Sequence, residues 1–172
     1  MNRFFSPRSF ERPLWLVDST WIEHGPFGLW IADQLRPRLR VELGSFRGYS
    51  FSLFCQALAK HSEPWNAVAI DNWEGDKHSG FFKSKGDEIF AALSEHARLH
   101  YAPHAELKRM YFSQALSSIP DGSIDLLHID GRHTYEDVKE DHTSWIGKLS
   151  DRAIVMFHDT QVREQDFGVW RY

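Results

Sequence analysis

Short apolar runs alternate along this chain with longer stretches in which apolar residues recur every three or four positions. The short runs have strand length and lie at 39–43, 66–71, 107–112, 123–130 and 153–157. The longer stretches, such as the one with Phe51, Phe54 and Leu58, have the period of an amphipathic helix. This alternation predicts an α/β fold, with a three-layer, doubly wound, mostly parallel sheet and right-handed crossovers.

Breakers and caps mark the boundaries of the predicted helices. One helix is predicted from Pro26 to the residues before Pro37, and another over about 87–99. A third begins at Thr134, which stands three residues ahead of Asp137 as in a capping box. Its predicted apolar stripe consists of Val138, His142, Trp145, Ile146 and Leu149.

Length predicts a single domain over 1–172. A chain of 172 residues has the usual size of one domain and can bury its own core. Residues 1–36 are expected to form an N-terminal helical cover, and 37–172 the α/β core. The run at 153–157 is almost continuously apolar, which predicts a strand covered on both faces.

Composition narrows the possible partners. The net charge is −4, with acidic and basic residues interspersed, so nucleic acid and anionic membranes are not favoured. The single cysteine, Cys55, allows no intramolecular disulfide and fits a reducing compartment. No apolar run is long enough for a membrane span or signal peptide, and a cytoplasmic protein is expected.

A turn with two glycines joins the first predicted strand to its helix. Gly44 and Gly48 would let the backbone pass close to a ligand, as in the first unit of a nucleotide-binding sheet. The stretch has neither the GxGxxG pattern of dinucleotide sites nor the lysine of a phosphate-binding loop. Glu42 at the strand end favours a cationic or hydroxyl-bearing ligand over a polyphosphate. A glycine turn without a ligand stays open as the alternative.

Acidic residues end three of the other predicted strands. Asp71 ends the second strand, where an acid can bind ribose hydroxyls, although a solvated strand-end acid would look the same. Asp130 and Asp159 end the fourth and fifth strands, which are expected to lie beside the first. Two carboxylates and an imidazole there could hold Mg²⁺. Asp125, near the start of the fourth strand, is expected to be exposed.

Two histidines stand next to these acids in the sequence. His133 is a candidate base, or else a cap of the turn before Thr134. His158 is a candidate metal ligand, or else a core histidine with satisfied hydrogen bonds. The long loop at 72–82 is rich in glycine and aromatic residues and is a further candidate for function.

Four motifs resemble class I S-adenosylmethionine-dependent methyltransferases, which have a Rossmann-like fold. They read VELGSFRGYS at 41–50, IDNWEGD at 70–76, LLHIDGRHTYE at 126–136 and FHDT at 157–160. The motifs look most like the group fused to glycosyltransferases in bacterial glycan synthesis. They are also similar to macrocin-type and rhamnosyl O-methyltransferases and to the cephalosporin hydroxylase family.

The resemblance implies roles for the matching residues. Cofactor contacts are implied for Glu42, Gly44, Ser45, Gly48, Ser50, Asp71, Trp73 and Ser113. Asp130 and Asp159 would match the ligands of metal-dependent relatives, with His158 in the place of an acid found in some. His133 is the implied base, acting beside Asp130.

The implied activity is O-methylation of a sugar or glycan hydroxyl, or of a similar small polar acceptor, with or without a divalent metal. A homo-oligomer or a linked glycosyltransferase is a further expectation. The family's sheet ends in an antiparallel hairpin, whereas only residues 161–172 follow the motif FHDT, so a sheet truncated after the fifth strand is expected. The alternative is a fragment that binds the cofactor or a partner without turnover. A dehydrogenase is disfavoured because GxGxxG is absent.

Overall fold

A five-stranded parallel sheet forms the centre of the molecule. The computed structural model describes residues 6–76, 80–81, 83–164 and 166–172. Its strands are β1 (Leu39–Leu43), β2 (Asn66–Asp71), β3 (Gly75–Asp76), β4 (Gly80–Phe81), β5 (Ala105–Arg109), β6 (Ile124–Ile129) and β7 (Leu149–Phe157). Its α-helices are α1 (Gly25–Leu35), α2 (Tyr49–Leu58), α3 (Lys83–Tyr101), α4 (Phe112–Ala115) and α5 (Tyr135–Trp145).

The strand order of the sheet is β5-β2-β1-β6-β7, and every pairing in it is parallel. β3 and β4 form a separate short antiparallel ribbon. The predicted doubly wound α/β fold is confirmed, and β1, β6 and β7 are neighbours as expected. Leu43 lies opposite Ile129, and Ile129 lies opposite Phe157. The carboxyl ends of these three strands are therefore level with one another.

Each face of the sheet buries its own apolar core. Side chains of α1 and α2, such as Leu29 and Phe54, pack with Leu126 on one face. Val41, Leu127 and Trp145 of α5 pack on the other. Successive strand residues point to opposite faces, so β2 and β6 contribute to both cores. Each fully buried aliphatic or aromatic side chain stabilises the fold by about 1.5–3 kcal/mol relative to exposure.

The third strand lies earlier than predicted. The sequence predicted 107–112, whereas β5 ends at Arg109 and Ser113 lies within α4. The chain leaves the ladder at Met110, whose N–H still donates to the carbonyl of Asp71. Tyr111 then caps α4, its own N–H donating to the side chain of Gln114. The start of α4 therefore lies within the run that the sequence assigned to the strand.

The helix predicted from Thr134 begins as predicted and ends early. Thr134 caps α5, accepting from the N–H of Asp137 at 3.2 Å. The helix ends at Trp145, Ile146 is 58% exposed, and Leu149 begins β7. The predicted apolar stripe was therefore too long by its last two members. α3, in contrast, extends beyond the predicted 87–99 at both ends.

Two expectations about exposure were wrong. β7 forms one edge of the described sheet, and its burial is only partial, so it is not covered on both faces. Asp125 is 2% exposed and accepts from the N–H and Nε of Arg38 at 2.9 and 3.1 Å and from the hydroxyl of Ser150 at 2.7 Å. These partners compensate for its burial.

Two further predictions concern other parts of the chain. Of the predicted loop at 72–82, residues 77–79 and 82 lie outside the described residues. Within the described residues, no helix combines the length and the apolar character that a bilayer span requires.

Candidate active site

A cleft of about 1430 Å³ opens at the carboxyl ends of the strands. Its walls come from the turn after β1, the ends of β2, β5, β6 and β7, the N-terminal segment 18–21 and Phe167. Ten residues predicted for the site line this cleft: Gly44, Ser45, Gly48, Ser50, Asp71, Trp73, Ser113, Asp130, His133 and Asp159. The structure thus brings together side chains that are far apart in the sequence. Glu42 and His158 are not among the lining residues.

The glycines of the turn are required by the protein's own packing. Gly44 has φ +85°, and a Cβ there would collide with the backbone carbonyl of Asp130. Gly48 has φ +75°, and a Cβ there would collide with the side chain of Leu93. The sequence suggested that a ligand comes close to these glycines. In the structure, neighbouring parts of the protein itself occupy the space where a Cβ would lie. The predicted ligand contacts of these glycines stay predictions.

Asp71 ties the glycine turn to the end of β2. Its Oδ2 accepts from the N–H groups of Ser45 and Phe46, each at 2.9 Å, and its Oδ1 accepts from the N–H of Trp73 at 2.7 Å. The indole N–H of Trp73 donates to the carbonyl of Phe46 at 2.8 Å. A carboxylate has about four acceptor positions, so roughly one remains for a ligand hydroxyl. The ribose contact of Asp71 stays a prediction.

These hydrogen bonds of Asp71 and of the Trp73 indole brace the glycine turn. Two of the residues that take part in them have left-handed backbones although neither is glycine. Phe46 has φ +45° and Trp73 has φ +55°. Such conformations are strained, and they persist where the surrounding structure holds them and are frequent in functional sites. The hydrogen bonds of Asp71 and of the Trp73 indole stabilise these backbone conformations of Phe46 and Trp73.

Glu42 lies beneath the turn and is fully buried. Its carboxylate accepts from the hydroxyls of Ser45 at 2.7 Å and Ser50 at 3.0 Å, and from Nδ1 of His128 at 2.9 Å. Burial favours the protonated form, but Arg40 and His128 outweigh it and lower the pKa of Glu42 to about 2. Direct contact between Glu42 and a cofactor is not tested by this arrangement and stays a prediction.

Asp130, His133 and Asp159 form a cluster in the lining of the cleft. One nitrogen or oxygen from each lies within 4.8 Å of the others. Nε2 of His133 is 3.6 Å from Oδ2 of Asp159, and the ring of His133 stacks on Phe167 at 4.9 Å between centroids. Two carboxylates and an imidazole are a suitable donor set for a divalent cation. The sequence analysis had proposed His158 as the imidazole ligand beside the two acids. In the structure, His133 is the histidine that forms this group with them.

His158 lies behind this cluster as a counter-charge. Its Nδ1 is 3.2 Å from Oδ1 of Asp130 and 3.0 Å from Oδ1 of Asp159. Burial favours the neutral ring, but the two carboxylates outweigh it and raise the pKa of His158 to about 10. An imidazolium cannot coordinate a metal while it stays protonated. The predicted ligand role of His158 therefore requires loss of this proton and remains a prediction.

Some residues of the cleft were not predicted from the sequence. Phe167, Trp21 and Asp141 all line it. Burial, together with the charges of Asp137 and Glu140, raises the pKa of Asp141 to about 7. The helical spacing of Asp137 and Asp141 places them on one face and could have indicated their proximity. Phe167 and Trp21 come from segments without a pattern, and no sequence signal places them at the site.

Sequence comparison identifies relatives of the chain. Residues 41–160 match the family described as "Methyltransferase domain". An uncharacterized protein of Sinorhizobium fredii is 49% identical over 154 residues, which is 90% of this chain. The chain spans only 16% of the length of that relative.

Solved methyltransferases share the fold at low sequence identity. An O-methyltransferase from Bacillus cereus, in complex with SAH (S-adenosylhomocysteine), is 16% identical with a TM-score of 0.61, over 92% of this chain and 69% of that one. A SAH-bound methyltransferase of Podospora anserina has a TM-score of 0.60 at 16% identity, over 84% and 54%. A TDP-rhamnose 3'-O-methyltransferase of calicheamicin biosynthesis has 0.54 at 16% identity, over 80% and 61%.

Proposed function

The chain belongs to a methyltransferase domain family, and from that premise we propose that it methylates a hydroxyl oxygen with S-adenosylmethionine as donor. The acceptor we propose is a sugar, a glycan or a similar small polar molecule. One observation carries the proposal: the same cleft holds the braced glycine turn and, beside it, the cluster of Asp130, His133 and Asp159. The first supports cofactor binding, and the second supports chemistry on an acceptor hydroxyl.

The cofactor end of the cleft consists of residues that fit a nucleoside with an amino-acid tail. Backbone groups of the turn from Gly44 to Gly48 would face the methionine part, and the free acceptor position of Asp71 would receive a ribose hydroxyl. Ser113 and Trp73 would lie beside the adenine and ribose. The SAH-bound solved structures with the same fold support this assignment.

The acceptor end has to orient a hydroxyl and remove its proton. S-adenosylmethionine supplies a methyl group that is already activated as a sulfonium. The chain contributes alignment of the acceptor oxygen with that methyl, which can account for a large part of the rate. We assign the removal of this proton to His133 as the base; Asp159, whose Oδ2 is 3.6 Å from Nε2 of His133, would stabilise the imidazolium that results.

A divalent cation fits the same cluster. Asp130, Asp159 and His133 would hold it, because their donor atoms are close enough to share one ion. When bound, such a cation lowers the pKa of an acceptor hydroxyl and orients it. His158 would keep the two carboxylates in place from behind. If His133 is occupied as a ligand, it is no longer available as a base.

The proposal of a sugar acceptor rests on the motif resemblance and on one solved structure with the same fold. That protein is a TDP-rhamnose 3'-O-methyltransferase. The chain also matches a small part of a much longer relative, which is compatible with a module linked to glycosyltransferases. We therefore propose both that the acceptor is a sugar or glycan and that the 172-residue chain itself catalyses its methylation.

Mass spectrometry of acceptors tests the proposed activity. The 172-residue chain is incubated with S-adenosylmethionine, Mg²⁺ and a panel of nucleotide sugars and oligosaccharides. We expect a gain of one methyl group on at least one sugar, lost in Asp130→Asn and retained in Asp151→Asn, which changes an exposed acid of β7. Binding of the cofactor without methylation of any acceptor would support the non-catalytic alternative. Methylation that persists in Asp130→Asn would exclude the assigned role of that residue.

A further inference from the structure

Three polar side chains interrupt one of the two apolar cores. Arg40 and Glu42 of β1 and His128 of β6 all face α1 and α2, and each is 0% exposed. Val41 and Leu43, which alternate with them, belong to the core on the other face. Glu42 and His128 are direct neighbours in the parallel register of β1 and β6. The sheet therefore carries a small charged network where apolar side chains would ordinarily lie.

The network converges on one carboxylate. Oε2 of Glu42 accepts from the guanidinium of Arg40, from Nδ1 of His128 at 2.9 Å and from the hydroxyl of Ser50 at 3.0 Å. Its Oε1 accepts from the hydroxyl of Ser45 at 2.7 Å. A carboxylate can only accept, so Nδ1 is the protonated nitrogen of His128. The guanidinium of Arg40 also lies over the ring of Phe54, 4.2 Å from its centroid.

A gain in stability does not by itself explain a buried charged network of this kind. Moving charges out of water is costly, and well-packed apolar side chains often serve a core as well or better. Glu42 makes two hydrogen bonds to residues that line the cleft, through the hydroxyls of Ser45 and Ser50. Ser45 stands at the start of the glycine turn and Ser50 in the first turn of α2. The orientation of Glu42 is thus transmitted to both ends of that turn.

We propose that Arg40 and His128 are positioning residues for the cofactor-binding turn. They hold the Glu42 carboxylate in one orientation, and Glu42 in turn fixes the hydroxyls of Ser45 and Ser50. Neither Arg40 nor His128 lines the cleft, so they act through Glu42 and not on the ligand. The inference rests on the proposed function in one respect, because it takes the turn to be the site of S-adenosylmethionine.

Two substitutions of His128 separate positioning from packing. His128→Phe keeps a ring against Trp21, whose centroid is 5.0 Å from that of His128, but removes the donor. His128→Asn loses the ring but keeps an N–H donor near the position of Nδ1. We expect S-adenosylhomocysteine to bind His128→Phe at least about tenfold more weakly than wild type, the effect of losing one hydrogen bond to a charged group. We expect His128→Asn to stay within about threefold.

Ile124→Ala is the matched control for destabilisation. Ile124 is fully buried at the opposite end of β6 and packs in the other core. It should lower the unfolding midpoint in urea while leaving the affinity unchanged. Affinity that follows stability across the three variants, or an equal affinity in His128→Phe and wild type, would overturn the proposal.

A second experiment applies if His128→Phe does not fold, and it needs no ligand. Amide hydrogen exchange across 45–50 is measured in the ligand-free wild type and in Ser50→Ala. Positioning predicts faster exchange in the variant, whereas a serine that only contacts the ligand leaves the exchange unchanged, and that result would overturn the inference. Failure of the wild type to bind S-adenosylhomocysteine would contradict the proposed function. The exchange measurement would still test whether the hydrogen bond from Ser50 to Glu42 positions the turn.

Discussion

Asp141 shows how neighbouring charges set the chemistry of one side chain. It lies on α5 beside the cleft, and burial together with Asp137 and Glu140 raises its pKa to about 7. A carboxyl whose folded pKa is raised binds its proton more tightly in the folded state. The free energy of unfolding therefore falls as the pH rises from the unfolded value of about 4 to about 7.

Asp141→Asn should remove this penalty. We expect the variant to be more stable than wild type by about 1–3 kcal/mol at pH 8 and by much less at pH 5, where Asp141 is protonated. Urea unfolding of both proteins at the two pH values measures the difference. Asp151→Asn, an exposed residue, is the control and should show no such pH dependence. A gain of equal size at both pH values would show that charge on Asp141 is not the cause.

Asp71 illustrates what a motif can and cannot predict about a residue. Its place at the end of β2 was predicted correctly, but its three hydrogen bonds to backbone N–H groups were not. The same applies to Glu42, whose partner His128 is far away in the sequence. A strand-end acid is visible in a single sequence, whereas its partners depend on the register between strands.

At the scale of elements, hydrophobic period and turn chemistry predicted most of the fold. β1, β2 and β6 and the start of α5 agree with prediction because apolar runs and the Thr134 cap are local signals. β5 was misplaced because an edge strand is only half buried and its apolar pattern is weak. The charged face of β1 was also missed, since the burial of Arg40 and Glu42 depends on their ion pair and on His128 of another strand.

The turn between β1 and α2 leads to a prediction about glycine. Gly44→Ala should destabilise the chain by about 3 kcal/mol or more, or prevent folding, because the Cβ meets the backbone of Asp130 and the φ is positive. Gly147→Ala is the matched control, since nothing lies within 4 Å of a Cβ there. Thermal unfolding compares the two. A stable Gly44→Ala variant would contradict the packing reason given for this glycine.

At the scale of the molecule, the sheet order gathers acids from β6 and β7 at one end of the cleft. A cation bound there should raise the melting temperature by mass action, because only the folded chain brings Asp130, His133 and Asp159 together. We expect Mg²⁺ or Mn²⁺ at millimolar concentration to stabilise the wild type and not Asp159→Asn. Thermal unfolding with and without the cation tests this. Equal stabilisation of both proteins would place the cation elsewhere.

The cleft as a whole unites parts that the sequence could only suggest separately. Motifs predicted the strand-end residues, and parallel pairing explains why those residues meet. The N-terminal segment 18–21 and Phe167 complete the walls, but both belong to irregular stretches. Their positions depend on tertiary packing, which no local pattern records.

Calorimetric titration with S-adenosylmethionine, S-adenosylhomocysteine and NAD tests the central claim most directly. The account predicts that the 172-residue chain binds the first two at one site and does not bind NAD. It also predicts that Asp71→Ala, which removes the proposed acceptor of a ribose hydroxyl and the hydrogen bonds to the glycine turn, weakens both affinities at least tenfold. Binding of NAD, or no binding of either S-adenosyl compound by the folded chain, would contradict the account.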